Sequence, residues 1–239
     1  MIEMTARASH RKEGDQTMSK RSFWLAAAGL LLLGYTVVHY IHGAFLYRGY
    51  DDFYLLMELI RKWLATGEFR TDYVYFYPPF FYLLNVPLAK LSNAAGALVM
   101  VLLNQALLVA CFGLLARAMT PRPSRRLWIW LLLPLALNFR PLLYLCSMAK
   151  IELLQTTLLV AGLVAIQRNR SWLAGALAAF AGTLKPVPLL MVLYFVWKRD
   201  WRAVMGWVVA FAAIFVVSST AFGAGAVWSY FYHAAWLSD

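Results

Sequence analysis

Acidic residues are scarce in this chain: Asp and Glu number 11 among 239 residues, against 22 Lys and Arg. Charged residues of both signs reach only 14%, about half the share usual in a soluble domain. Two cysteines, Cys111 and Cys146, both lie in apolar segments, so no disulfide or zinc framework is visible. No glycine-rich phosphate loop, dinucleotide fingerprint, G-x-S-x-G or H-E-x-x-H occurs. No alternating strand–helix segment is available to hold a nucleotide sugar, so any group transfer here needs a donor already in the membrane. The net charge of +11 does not point to nucleic acid, because the cations cluster between hydrophobic runs.

What the chain has instead is apolar surface. Hydrophobic residues make up 62%, and several long segments are almost free of charge, as membrane-spanning helices are. The pattern predicts an all-α multi-pass membrane protein. The first 22 residues read as a disordered basic tail on the cytoplasmic side, and 23–239 as the transmembrane domain. Spanning helices are expected near 23–41, 94–116, 127–145, 151–167, 172–184, 186–197 and 203–222. The tail and the connectors near 117–126, 168–171 and 198–202 carry 14 of the 22 Lys and Arg. A cytoplasmic N-terminus puts all of these on one side, as the positive-inside rule requires. Pro186 disfavours helical geometry at Lys185 and Pro188 follows, so 172–197 is expected as a hairpin of two short helices with Lys185 near its tip.

This topology leaves residues 42–93 as a long outer loop, too large for a mere connector. Within it, apolar residues at 53, 56, 57, 60, 63 and 64 form one helical stripe, the mark of a helix lying in the membrane surface. The aromatic segment RTDYVYFYPPFFYLLNVPLAKL, broken by Pro78, Pro79 and Pro87, reads as an irregular stretch and a second interfacial helix.

The scarce acids then stand out by position. Asp51 and Asp52 fall at the outer surface, at the start of the amphipathic helix. Capping of that helix is the plainer account, and a carboxylate that caps can also act as a base. Adjacent helical residues point about 100° apart. Asp51 is favoured as the base, at the loop–helix junction, with Asp52 nearer the helix dipole. Arg140, Lys150, Glu152 and Lys185 fall near outer helix ends, where ionisable groups are costly and default to functional hypotheses. Snorkelling to the headgroups is the alternative for Arg140 and Lys185, and a mutual pair for Lys150 and Glu152. Converging cations there would hold a lipid phosphate. Tyr75 and Tyr77, in the aromatic cluster, would line a sugar or lipid groove, although an interfacial belt explains them as well. His39, His42 and His233 share the outer side and leave a divalent metal open, with no cofactor fixed.

The stretches YDDFYLLMELIRKWLATGEF, YPPFFYLLNVPLAKL and AGALAAFAGTLKPVPLLMVLYFVWKRDWRAV together resemble the polyprenol-phosphate-mannose-dependent mannosyltransferases of glycosyltransferase family 87, in the C-type superfamily. The resemblance implies the C-type fold and an inverting transfer of a sugar, mannose by analogy, from a polyprenyl-phosphate donor. The acceptor would be a glycan or glycolipid on the non-cytoplasmic face of a bacterial plasma membrane. It implies that an aspartate of the first outer loop, Asp51 or Asp52, is the general base, and Lys185 matches the lysine of the family's K-x-x-P-like element; Lys185, Arg140 and Lys150 are together the expected donor-phosphate cations. Tyr75, Tyr77, Glu152 and His233 are then the expected groove residues. Lys150 and Glu152 stand where the family pattern has a Gln-x-Asn-like pair. Family members usually continue beyond Asp239, so a truncated or N-terminal-half member is expected. A lipid or solute transporter and a non-catalytic assembly subunit are the readings from other classes. Transport is disfavoured by the absence of a visible inverted repeat.

Overall fold

The computed structural model describes residues 23–39, 42, 51–69, 77–119 and 149–236. The described elements are all helical: α1 (Phe23–His39), α2 (Asp51–Thr66), α3 (Pro79–Ala89), α4 (Asn93–Met119), α5 (Glu152–Gln167), α6 (Ser171–Gly182), a 3₁₀ turn (Val187–Leu190), α7 (Met191–Trp197), α8 (Trp201–Phe222) and α9 (Ala224–Trp236). The expected helix at 127–145 and the basic tail lie outside the described residues.

Two helices are long and apolar enough to cross a membrane, Asn93–Ala118 within α4 and Trp201–Phe222. Of the seven expected spans, these two reach that standard among the described residues. Helices α1, α5 and α6 form where expected but are shorter. At 1.5 Å per residue, the 12-residue α6 covers about 18 Å of the roughly 30 Å hydrocarbon layer. The most apolar windows of the two long helices are only 28% and 17% buried within the protein. Leu102, Leu103 and Val109 of α4 and Val208, Val216 and Val217 of α8 are exposed. The core helix of a soluble protein would be covered, whereas this surface suits lipid.

Local chemistry fixes the connections. Asn169 and Arg199 adopt left-handed backbone (φ 57 and 55) and end α5 and α7, with the Arg170 and Asp200 N–H groups donating back to Ala165 and Phe195 carbonyls, a C-terminal motif that satisfies otherwise orphaned oxygens. Asp200 then caps α8 by accepting from the Ala203 N–H at 3.2 Å. After Gly182 the chain breaks at Thr183–Pro186 and returns through the 3₁₀ turn and α7, with Phe195 packed back on Ala178. The hairpin expected from Pro186 and Pro188 forms, with Lys185 at the break.

The closest packing is between α6 and α8, which cross through glycine. A Cβ on Gly175 would collide with the Ala203 carbonyl, and one on Gly206 with the Trp172 carbonyl. Gly175→Ala should therefore push the helices apart and cost about 1–3 kcal/mol as an overpacked contact. Gly113→Ala, where an added Cβ meets nothing within 4 Å, should be neutral or stabilising. Thermal melting of the two purified variants checks this, and equal melting points would refute the close crossing.

The apolar stripe of α2 has a destination other than the membrane surface. Phe53, Leu56, Met57 and Ile60 are buried in one cluster with Phe81 and Tyr82 of α3, Ala97, Met100 and Val101 of α4, and Leu184. Arg61 holds the arrangement from the side, with Nε and Nη2 donating to the Ala89 and Leu91 carbonyls, each at 2.8 Å. Helix α2 is thus a packed part of the protein and carries its N-terminal acids to a fixed place.

Candidate active site

Four charged side chains meet where α2, α5 and the α6–α7 break converge. The chain enters α5 through Ala149, a non-glycine residue with φ 51, a left-handed conformation that costs about 1–2 kcal/mol. The turn directs the Lys150 carbonyl to buried Asn104 of α4, whose Nδ2 donates to it at 2.9 Å. Lys150 and Glu152 follow at once.

Glu152 opens α5 and accepts from Lys185 Nζ at 2.6 Å through Oε1. Its second oxygen, Oε2, is shielded from solvent and has no hydrogen-bond partner among the described residues. One turn on, Gln155 Nε2 donates to the Ala181 and Lys185 carbonyls at 3.0 and 3.2 Å. This side chain ties the α6–α7 break to α5 and fixes the backbone from which Lys185 extends. Lys150 Nζ lies 3.8 Å from Asp52 Oδ2. Among the described residues the ion pairs of this cluster thus join Glu152 to Lys185 and Lys150 to Asp52, with none between Lys150 and Glu152.

Tyr77 stands among these charges. Lys185 Nζ sits 5.7 Å from its ring centroid, within cation–π range, and the ring stacks on Phe81 at 4.2 Å. Burial first, then the Glu152 and Asp52 carboxylates, push its phenol up to about 12. Tyr77 is therefore a neutral hydroxyl at physiological pH, available as donor or acceptor. Behind it, Pro78, Pro79 and Phe80 line a small apolar crevice with Thr183, Ile214 and Ser218. The cluster thus lies toward the Phe222 end of α8.

Asp52, Tyr77, Lys150, Glu152 and Lys185 are brought together. Asp51 is the first residue of α2 and His233 falls in α9, but their side chains lie outside the described residues, as do Tyr75 and Arg140 entirely. His39 stacks on Tyr35 at 6.0 Å. Among the described residues no three His, Cys, Asp or Glu side chains converge as metal ligands. Gln155 was missed by the sequence reading. Its signal was present, as a lone amide one turn from Glu152 in the apolar run ELLQTTLLVAG.

Comparison with protein families matches residues 75–239 to Glycosyltransferase family 87. The chain belongs to this family. No curated protein and no solved structure gives a match. The matched span holds Tyr77, Lys150, Glu152 and Lys185 of the cluster, whereas Asp51 and Asp52 precede it. Family 87 membership makes the chain a glycosyltransferase by descent. A paired-charge cluster floored by an aromatic ring is chemistry that such an enzyme can use: a carboxylate can take a hydroxyl proton, a cation can hold an anionic leaving group, and a ring can face a sugar.

Proposed function

We propose that this family 87 glycosyltransferase moves a sugar, mannose by family resemblance, from a polyprenyl-phosphate donor to a hydroxyl of a glycan or glycolipid acceptor. Transfer takes place on the non-cytoplasmic face with the N-terminus in the cytoplasm, and the configuration at the anomeric carbon inverts. The observation that carries this reading is the cluster itself, which brings Asp52, Glu152 and Lys185 near Tyr77 with Lys150 beside Asp52.

Each group then has a role. Asp52 takes the proton of the acceptor hydroxyl as its oxygen bonds to the anomeric carbon. The bond from that carbon to the phosphate oxygen breaks on the opposite face, and the electron pair leaves with the lipid phosphate. Lys185 stabilises that growing charge, with Lys150 and Arg140 as further cations. Tyr77, with Tyr75, lines the sugar groove. Asp52 is given the base role here because its side chain reaches Lys150 and its charge is felt at Tyr77, while the Asp51 side chain lies outside the described residues.

Sealed right-side-out vesicles containing the protein provide the test. Supplied with radiolabelled polyprenyl-phosphate mannose in the membrane and an impermeant acceptor glycan outside, they should yield labelled glycan. A non-catalytic subunit or a transporter would yield none. Product formed only after the vesicles are opened would reverse the orientation.

A further inference from the structure

Lys185 is already engaged, and by an acid. Its 2.6 Å bond to Glu152 occupies the cation that the reading above assigns to the donor phosphate. The charges of Asp52 and Glu152 cancel those of Lys150 and Lys185, so the four together offer an incoming anion little net attraction. We propose that Glu152 is a positioning residue, an internal counter-ion that holds Lys185 between turnovers and yields it to the donor phosphate. The inference rests on the donor-phosphate reading of Lys185.

Three features of the pair suit exchange rather than permanent structure. First, only Oε1 of the carboxylate is engaged, while Oε2 is shielded from solvent without a hydrogen-bond partner among the described residues. The pair is therefore monodentate, and exchange gives up one hydrogen bond, leaving a carboxylate whose lost partner the bond between Lys185 and the donor phosphate has to offset. Second, the Lys185 side chain is still 34% exposed, so the pair is not sealed from solvent. Third, its backbone is pinned by Gln155, so exchange needs only a swing of the side chain. The Tyr77 ring face lies 5.7 Å from the ammonium and favours a cation there without competing for its hydrogen-bond donors.

A counter-ion that yields Lys185 also recovers it. Once the sugar has left, the lipid phosphate carries more negative charge, and Glu152 competes with it for the same ammonium. Glu152 therefore weakens donor binding and speeds product release. Removing its charge should lower KM for the donor and also lower kcat, a combination that loss of a merely structural contact does not produce.

Titration of the purified full chain in detergent with farnesyl phosphate tests the exchange. Glu152→Gln should bind this short prenyl phosphate roughly fivefold more tightly than the parent, the scale of one partly exposed ion pair. Glu152→Asp, whose shorter carboxylate reaches Lys185 less well, should bind with an intermediate gain and decides the matter if the Gln variant fails to fold. Farnesol should not distinguish the variants. A gain limited to farnesyl phosphate supports exchange with a lipid-linked phosphate, and an equal gain with inorganic phosphate supports exchange with phosphate as such. Unchanged or weaker binding by both Glu152 variants, with Lys185→Met weakened, overturns the counter-ion role alone. If Lys185→Met binds farnesyl phosphate as the parent does, the donor-phosphate reading fails with it.

Discussion

Asp52→Asn should lower sugar transfer by roughly 10²-fold or more, the usual weight of a general base, while Asp51→Asn should change it by no more than a few fold. Asn keeps the shape and the capping capacity of Asp but cannot accept the hydroxyl proton. The loss should appear in kcat and kcat/KM together, because the proton moves in the transition state and not on binding. Stability should barely move. The Asp52 side chain is 78% exposed and its contact with Lys150 is 3.8 Å, and an exposed pair of this kind contributes about 0–1 kcal/mol. Steady-state transfer kinetics beside thermal melting of both variants check the claim. An inactive Asp51→Asn with an active Asp52→Asn would hand the base role to Asp51. Full activity in both would return the two acids to helix capping.

The competition between these adjacent acids shows how far sequence periodicity reaches. The 3.6-residue stripe from Phe53 identified which side chains share a face of α2, and the helix formed with that face intact. Periodicity carries no information about what covers a face. Most of the stripe read as membrane-facing is covered by Phe81, Tyr82, Ala97 and Met100, residues distant in sequence, while Leu64 stays exposed. The same limit applies to the ions. Lys150 precedes α5 and Glu152 opens it, so helical spacing says nothing about whether the two pair. Asp52 and Lys185, with which they form ion pairs among the described residues, lie far away in sequence and were brought near by tertiary packing. Backbone punctuation was easier to read. Pro186 and Pro188 cannot support regular helical bonding, and the break they impose put Lys185 at a bend. Helix α9 was not foreseen, because AGAVWSYFYHAAW mixes aromatics and alanines without a clear polar face. Its buried Val227 and Tyr230 show that packing supports it. The remaining features were legible because they are local: prolines beside aromatics at 77–82, a lysine before a helix break, and acids after the first apolar run.

Lys185→Ala should lower kcat/KM for the polyprenyl-phosphate donor by roughly 10²- to 10³-fold, the range seen when a single group stabilising transition-state charge is removed. Two effects of this substitution need separating. Loss of the ammonium removes the partner of the donor phosphate, and it also strands Glu152, whose Oε1 is bonded to Lys185 at 2.6 Å and whose Oε2 has no partner among the described residues. A stranded, largely buried carboxylate destabilises the fold by itself. Combining Lys185→Met with Glu152→Gln removes both charges while keeping the volume, so this pair should melt close to the parent. If Lys185 serves the donor, the double variant stays poor in transfer although its fold is restored. If Lys185 serves only to neutralise Glu152, activity returns with stability. Lys185→Arg should keep part of the activity, since guanidinium carries the charge but presents it as a planar fork and not as a point. Donor kinetics and melting curves for the four proteins decide between the two roles, and recovery of activity in the double variant is the result that would remove Lys185 from the donor site.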